Sequence, residues 1–188
     1  MRERNPSQPV GAHPVRERSS APGKITKGIR AQGALLREGP TVHVGYAVPR
    51  AGLPSAISFR RWVTAALRGA RRRKPAELAI RIVGADEGRA LNRDYRGKDY
   101  ATNVLSFAVE LPPGVVLPLI GDLAICAPVV QREATEQGKR LRDHWAHLTI
   151  HGVLHLLGHN HLEARQAEAM EALETRILAS LGITDPYA

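Results

Sequence analysis

Beyond about residue 40 the chain is a series of apolar segments separated by short polar stretches rich in glycine and proline. Four short segments rich in β-branched residues predict strands, at residues 41–48, 77–84, 104–109 and 120–126. Five longer segments predict helices, at residues 59–72, 86–95, 128–138, 141–157 and 163–181. Because these elements follow no regular βαβ repeat, they favour an α+β single domain with a mixed four-stranded sheet packed with about five helices.

Single residues refine the ends of these elements. Ser58 is expected to cap the first helix and Asp86 the second. Tyr95 is expected to face the core, and Gly158 to take the left-handed conformation that ends helix 141–157. Asp122, an acid within an apolar strand, is expected to hold backbone amides or to orient a histidine.

The segment 141–157 is apolar on nearly every side, which predicts a central buried helix. With it begins a stretch, residues 144–161, that holds six of the eight histidines of the chain. At about 100° per residue, one narrow side of the helix carries the histidine stripe, composed of His144, His147, His151 and His155. A polar stripe on a buried helix predicts an internal cleft lined by imidazoles.

The formal net charge of +9 and the pI near 10.4 favour an anionic partner such as a phosphate backbone. About half of that excess lies in residues 1–40, which are rich in proline, glycine and serine and are predicted to form a disordered basic tail. The single cysteine, Cys126, suits a reducing compartment, and no apolar run is long enough to span a membrane. With no apolar signal segment, the sequence predicts a cytoplasmic protein without a membrane partner.

The histidine spacing predicts a metal site. His151 and His155 are one helical turn apart, and His161 can approach from the loop after Gly158. Three protein ligands with an open fourth position are typical of catalytic zinc, whereas structural zinc closes its coordination shell, usually with cysteine. His147, a turn earlier, is expected to support a ligand or to contact substrate. The alternative is a set of core histidines bonded to the backbone.

A peptidase would use almost the same spacing. The metzincin pattern H-E-x-x-H-x-x-G-x-x-H needs a glutamate as general base directly after the first histidine. Gly152 occupies that position here, so the sequence disfavours peptide hydrolysis.

Three ordered blocks in residues 43–161 carry a specific resemblance. Residues 151–161, HGVLHLLGHNH, resemble the signature H-G-x-L-H-L-x-G-[YH]-D-H of the YbeY family of metal-dependent endoribonucleases, the rRNA maturation factors. Residues 91–107, LNRDYRGKDYATNVLSF, and 121–125, GDLAI, are similar to two further blocks of that family. The resemblance implies a zincin-like fold and a YbeY-like metallohydrolase domain at residues 41–188.

The resemblance also implies the site residues. His151, His155 and His161 would bind one Zn²⁺ per chain, and Arg96 would be the functional arginine. The expected activity is cleavage of single-stranded RNA in 16S rRNA 3′-end maturation and ribosome quality control, with rRNA and the small ribosomal subunit as partners. Asn160 stands where the family has aspartate before the last histidine, which removes a charge close to the metal.

Phosphodiester chemistry gives an independent argument. Zn²⁺ and a bidentate guanidinium can share the extra negative charge of a five-coordinate phosphorus, a task for which Arg96 is suited. Arg96 has an alternative as a residue that caps carbonyls at a helix end. Lys98 and Asn103 are candidates for phosphate contacts or for a solvated turn.

Two other functions stay open from the sequence. One is a non-catalytic, metal-stabilised ribosome-assembly factor that binds rRNA through its basic face, and the other is a metallopeptidase. No side chain can be assigned as general base, and the oligomeric state is open.

Overall fold

The computed structural model of the protein describes residues 39–112, 114–159 and 163–187. Its strands are β1 (Thr41–Tyr46), β2 (Glu77–Val83), β3 (Val104–Ala108) and β4 (Leu119–Cys126). Its helices are α1 (Ala56–Gly69), α2 (Ala85–Arg96), α3 (Ala127–Glu136), α4 (Leu141–Leu156) and α5 (Ala164–Ser180). The predicted α+β fold is thereby confirmed.

The sheet is mixed, with strand order β1-β2-β4-β3. β1, β2 and β4 are parallel neighbours, whereas β3 runs antiparallel to β4. In β2 the buried side chains of Leu78, Ile80 and Ile82 alternate with Ala79 and Arg81, so one face of the strand is available for the core. Asp122 of β4 accepts a hydrogen bond from the backbone N–H of Ala79 at 3.3 Å, which confirms its expected structural role.

The core joins that sheet face to α1, α4 and α5. Trp145, Ile150 and Leu154 of α4 are all fully buried there, and the T-shaped contact of Phe59 with Trp145, at 5.9 Å between ring centroids, joins α1 to α4. α4 is therefore the central helix that the apolar pattern predicted. A smaller apolar cluster, around Val83, Cys126 and Val129, lies where β2 and β4 meet α3.

α4 approaches the sheet closely at Gly152. A Cβ atom at this position would lie 2.8 Å from Cδ2 of Leu123 in β4 and 3.3 Å from Oγ of Ser106 in β3. The Ser106 hydroxyl also donates to the Gly152 carbonyl at 3.3 Å. A larger residue here would push the helix away from the sheet or displace Leu123.

Three expectations about helix ends and faces were wrong. α1 begins earlier than predicted, because the Ser55 hydroxyl, rather than Ser58, is the cap and accepts from the Ser58 N–H at 3.3 Å. Gly84, rather than Asp86, precedes α2, and no side chain caps it. Tyr95 is 68% exposed, because its ring packs on Phe107 at the sheet edge instead of in the core.

Gly158 behaves as predicted. Its φ of 88° is left-handed, and the N–H groups of Gly158 and His159 donate to the carbonyls of His155 and Leu154. These are the two hydrogen bonds of a Schellman helix ending, which turns the chain sharply directly after the histidine stripe.

Within the described ranges no helix is both long and apolar enough to cross a membrane. The basic tail predicted at residues 1–40 lies outside the described residues, apart from Gly39 and Pro40.

Candidate metal centre

α4 places the four imidazoles of the histidine stripe in one row. Ring centroids are 6.3 Å apart for His144 and His147, 6.3 Å for His147 and His151, and 4.5 Å for His151 and His155. The helix positions them because their spacings of three and four residues return to the same side at each turn. A cleft of about 480 Å³ opens beside the row, and His144, His147 and His151 line it.

His151 has a defined orientation. Its Nδ1 lies 2.7 Å from Oε1 of Glu174, and its Nε2 lies 3.0 Å from Nε2 of His155. A carboxylate next to Nδ1 stabilises the tautomer that carries its proton on Nδ1, in which Nε2 is the acceptor nitrogen. The His151 lone pair therefore points toward the Nε2 of His155.

Glu174 is a fully buried acid on α5. Burial alone would raise its pKa, but hydrogen bonds from His147 and His151 outweigh burial and lower the pKa to about 2. Its Oε2 also accepts from the Tyr187 hydroxyl. Burial and this bond to Glu174 raise the pKa of Tyr187. Glu174 is therefore an ionised acceptor held by three side chains.

His147 lines the cleft beside Glu174. Its Nε2 is 3.2 Å from Oε2 of Glu174 and 3.2 Å from the Tyr187 hydroxyl. His147 therefore contacts the same carboxylate that holds His151, and Glu174 connects it to the His151–His155 pair.

A second carboxylate organises the far end of the row. Glu133 of α3 lies 2.9 Å from Nε2 of His144 and accepts from Nδ2 of Asn103 at 3.1 and 3.2 Å. The Asn103 Oδ1 in turn accepts from the Val104 N–H at 2.6 Å. Asn103 therefore lines the cleft but is held by protein groups. Burial lowers the pKa of His144, although the hydrogen bond to Glu133 acts in the opposite direction. The lowered pKa favours the neutral imidazole.

The imidazole nitrogens and the carboxylate oxygens of this centre offer two possible sets of metal ligands. The Nε2 atoms of His151 and His155, at 3.0 Å, are close enough to bind one Zn²⁺ at about 2.0–2.1 Å each. In addition, ligand atoms of His147, His151 and Glu174 all lie within 4.8 Å of one another. Imidazole and carboxylate are ligands that zinc accepts. The third histidine predicted from the sequence, His161, and the neighbouring Asn160 lie outside the described residues.

Arg96 and Lys98 lie at and just after the end of α2. Arg96 is the exposed last residue of α2 and precedes Gly97, whose φ of 68° ends the helix. The ring contact of Tyr95 with Phe107, at 4.8 Å between centroids, places this helix end against β3. Neither Arg96 nor Lys98 is among the residues lining the histidine cleft.

Sequence reasoning missed Glu174 and Tyr187. A signal for Glu174 existed, because it is an acid among the buried positions of α5, which are Met170, Leu173, Glu174, Ile177 and Leu178. A charged residue inside an apolar helical stripe indicates a buried partner. Tyr187 has no such signal, because it follows the last helix in an irregular segment.

We expect Glu174→Gln to weaken metal binding by about 10- to 100-fold, the usual effect of losing the group that orients a histidine ligand. The amide keeps the shape of the carboxylate but loses the charge that holds the Nδ1 proton of His151. Competition with a chromogenic chelator measures the affinity. The control is Glu171→Gln, which changes an exposed acid lining the same cleft. Equal affinities for both variants would contradict the prediction.

Fold and centre together define a class of protein, an α+β domain in which a central histidine helix and a buried carboxylate form a potential metal site. Sequence comparison then identifies the family. The protein-family sequence model described as Endoribonuclease YbeY matches residues 55–182. The chain therefore belongs to this family. The resemblance found in the sequence motifs is thereby confirmed.

Individual relatives agree with this assignment. A Stenotrophomonas maltophilia protein named Endoribonuclease YbeY is 67% identical over 151 residues, covering 78% of this chain and 92% of the relative. A Xanthomonas axonopodis pv. citri protein of the same name is 62% identical over 160 residues, covering 81% and 98%. The solution structure of TM1509 from Thermotoga maritima has a TM-score of 0.50 at 18% identity, covering 78% and 98%. That likeness supports the fold.

Proposed function

We propose that this protein is a zinc-dependent endoribonuclease that cuts single-stranded RNA, with His151, His155 and His161 as ligands and Arg96 as a catalytic residue. Family membership and the names of the relatives support the endoribonuclease activity. The observation that carries the metal assignment is the position of His151 between Glu174 and His155, at 2.7 and 3.0 Å.

The alternative grouping of His147, His151 and Glu174 is the less favourable ligand set. It would take Glu174 from its hydrogen bonds with His147, His151 and Tyr187. In the set we propose, Glu174 keeps those bonds and orients a ligand. A carboxylate that holds the second nitrogen of a histidine ligand is the usual arrangement.

The metal, when bound, supplies Lewis-acid stabilisation of the phosphoryl oxygens and activation of water. Glu174 holds His151 in the Nδ1-protonated tautomer, and His147 and Tyr187 keep Glu174 ionised by donating to it. Arg96 offers two parallel N–H groups to a phosphate. Its guanidinium has no carboxylate partner among the described residues, so it can bind an RNA phosphate without first breaking an ion pair.

We assign the RNA partner to the small ribosomal subunit. The proposed role is cytoplasmic processing of 16S rRNA at its 3′ end, with participation in ribosome quality control. The motif resemblance supports this role, and the positive net charge of +9 suits a polyanionic partner.

Metal removal tests the proposal. Chelator-treated protein is expected to lose cleavage of a single-stranded RNA and to regain it with Zn²⁺, because histidine ligands bind the ion reversibly. End-group analysis of the product distinguishes attack by water, which gives a 5′-phosphate, from attack by a 2′-hydroxyl, which gives a cyclic phosphate.

The same experiment also distinguishes the proposed function from the two alternative functions. Unfolding upon chelation, with no cleavage by the zinc-loaded protein, would instead indicate a metal-stabilised assembly factor. Cleavage of a casein substrate and not of RNA would indicate a peptidase.

A further inference from the structure

A second cleft lies on the side of α5 that faces α1. It has a volume of about 850 Å³. We call it the basic groove. Residues of α1 and α5 line it, among them Arg60, Arg61, Arg68 and Arg176. The lining contains four arginines and no acid.

Among the described residues, acids neutralise some surface arginines but not those of the groove. Arg81 and Arg89 form ion pairs with Glu87 and Asp99, both at 2.6 Å. In contrast, the guanidinium groups of Arg60, Arg61, Arg68 and Arg176 have no carboxylate partner within the described ranges. Four unneutralised guanidiniums around one concavity produce a positive potential that the cavity walls concentrate.

The groove exists because two helices approach closely. A Cβ atom at Gly69 would lie 2.3 Å from Cγ1 of Ile177, so the end of α1 can contact α5 only with glycine there. Arg60, Thr64 and Arg68 are spaced four residues apart and follow one side of α1. Arg176 faces them from α5, and the groove is therefore lined by cations from both helices.

The chemistry of the lining selects the ligand. Guanidinium groups bind phosphate bidentately. The hydroxyls of Thr64 and Ser180 donate to backbone carbonyls of their own helices at 2.7 and 2.6 Å, so the arginines are the donors that the groove offers to phosphate. The groove has no aromatic residue on which a base could stack. It therefore fits a sugar–phosphate backbone bound without regard to sequence.

α5 also connects the groove to the candidate metal centre. Glu174 and Arg176 are two residues apart, about 200° around the helix, so they face opposite sides of α5. One helix separates the histidine cleft from the basic groove. An RNA that passes around α5 can reach both.

We propose that the basic groove is an RNA-anchoring site, which binds the phosphate backbone of the substrate at a distance from the cleaved bond. This inference rests on the proposed endoribonuclease function. Anchoring contributes affinity for a long RNA and nothing for an RNA that fills the histidine cleft alone.

The test compares two triple variants of the full chain. The first is Arg60→Gln, Arg68→Gln and Arg176→Gln, which removes three charges from the groove. The control is Arg81→Gln, Arg89→Gln and Arg132→Gln, which removes three charges from exposed positions on β2, α2 and α3. Both variants lower the net charge equally.

RNA binding is measured by fluorescence anisotropy at several salt concentrations, using RNAs of about 30 and about 5 nucleotides, long and short relative to common single-strand sites of about 4–16 nucleotides. For the long RNA, the groove variant is expected to bind about 10- to 100-fold more weakly than wild type. The slope of log K for binding against log salt concentration should be smaller in magnitude by about 2, because about 0.7 is lost for each of three phosphate contacts to a single strand. The control variant should stay within about threefold of wild type.

Cleavage kinetics give a second readout. The groove variant should raise KM for the long RNA with kcat unchanged, and should cleave the short RNA like wild type. Equal losses in both triple variants, or an equal loss for short and long RNA, would overturn the proposal. Retained RNA binding with lost binding to anionic phosphatidylserine vesicles would also overturn it. Because binding is measured without cleavage, an inactive wild type would refute the endoribonuclease function and leave the groove testable.

Discussion

Replacement of His151 by alanine is expected to reduce RNA cleavage by at least about 1,000-fold, the scale on which loss of a central catalytic group usually acts. His151 is the residue of α4 that contacts both Glu174 and His155. Its loss removes a proposed metal ligand and also removes the donor to Oε1 of the buried Glu174 that the described residues provide. We expect the free energy of unfolding to fall by about 1–3 kcal/mol, the cost of one unsatisfied buried polar atom. The loss is limited to this oxygen because the other oxygen of Glu174 keeps its hydrogen bonds with His147 and Tyr187.

Three measurements separate loss of chemistry from loss of fold. Circular dichroism and urea unfolding check that His151→Ala is folded, and metal content is determined after gel filtration. His43→Ala is the matched control, because His43 is exposed on β1 and contacts Glu77 at 3.2 Å, far from α4 in the chain. Full activity in a folded His151→Ala would refute the metal mechanism.

Arg96→Ala is expected to lower kcat for RNA cleavage by about 100- to 1,000-fold, the usual cost of losing one donor to transition-state charge. Stability should change by less than about 0.5 kcal/mol, because Arg96 is exposed at the end of α2. Arg96→Lys should recover only part of the rate, since an ammonium cannot reproduce bidentate binding of a phosphate.

The matched control for this prediction lies in the same helix. Arg93 is also exposed in the last turn of α2, but its guanidinium pairs with Asp94 at 3.0 Å. Arg93→Ala should keep nearly full kcat while losing the same charge. A similar rate loss in both variants would mean that Arg96 acts only through the local positive potential.

Much of the fold could be predicted because its signals are local. Strand alternation, the all-round apolar character of α4 and the glycine at position 158 each depend on a few neighbouring residues. The start of α1 was missed because two serines three residues apart can both serve as caps, and only the backbone geometry selects Ser55. Tyr95 was misplaced because the core side of α2 is narrow, with Gly88 and Asn92 as its buried residues.

The candidate site was predictable only where one helix determines it. The spacing of His147, His151 and His155 fixes their common side, so α4 alone brings them together. Glu174 comes from a helix 23 residues further along the chain than His151, and no periodicity within α4 indicates which acid will meet it. The packing of α5 on α4 decides that pairing, which is a long-range property.

The close approach of α4 to the sheet at Gly152 also limits which residue can occupy this position. In sequence alone, the single substitution Gly152→Glu would give this chain the histidine–glutamate pattern of a zinc peptidase. In the folded molecule the Cβ of a glutamate at position 152 would lie 2.8 Å from Cδ2 of Leu123 and 3.3 Å from Oγ of Ser106, so these side chains would have to move. Conversion to the peptidase pattern would therefore need room made at Leu123 as well as the single substitution at position 152.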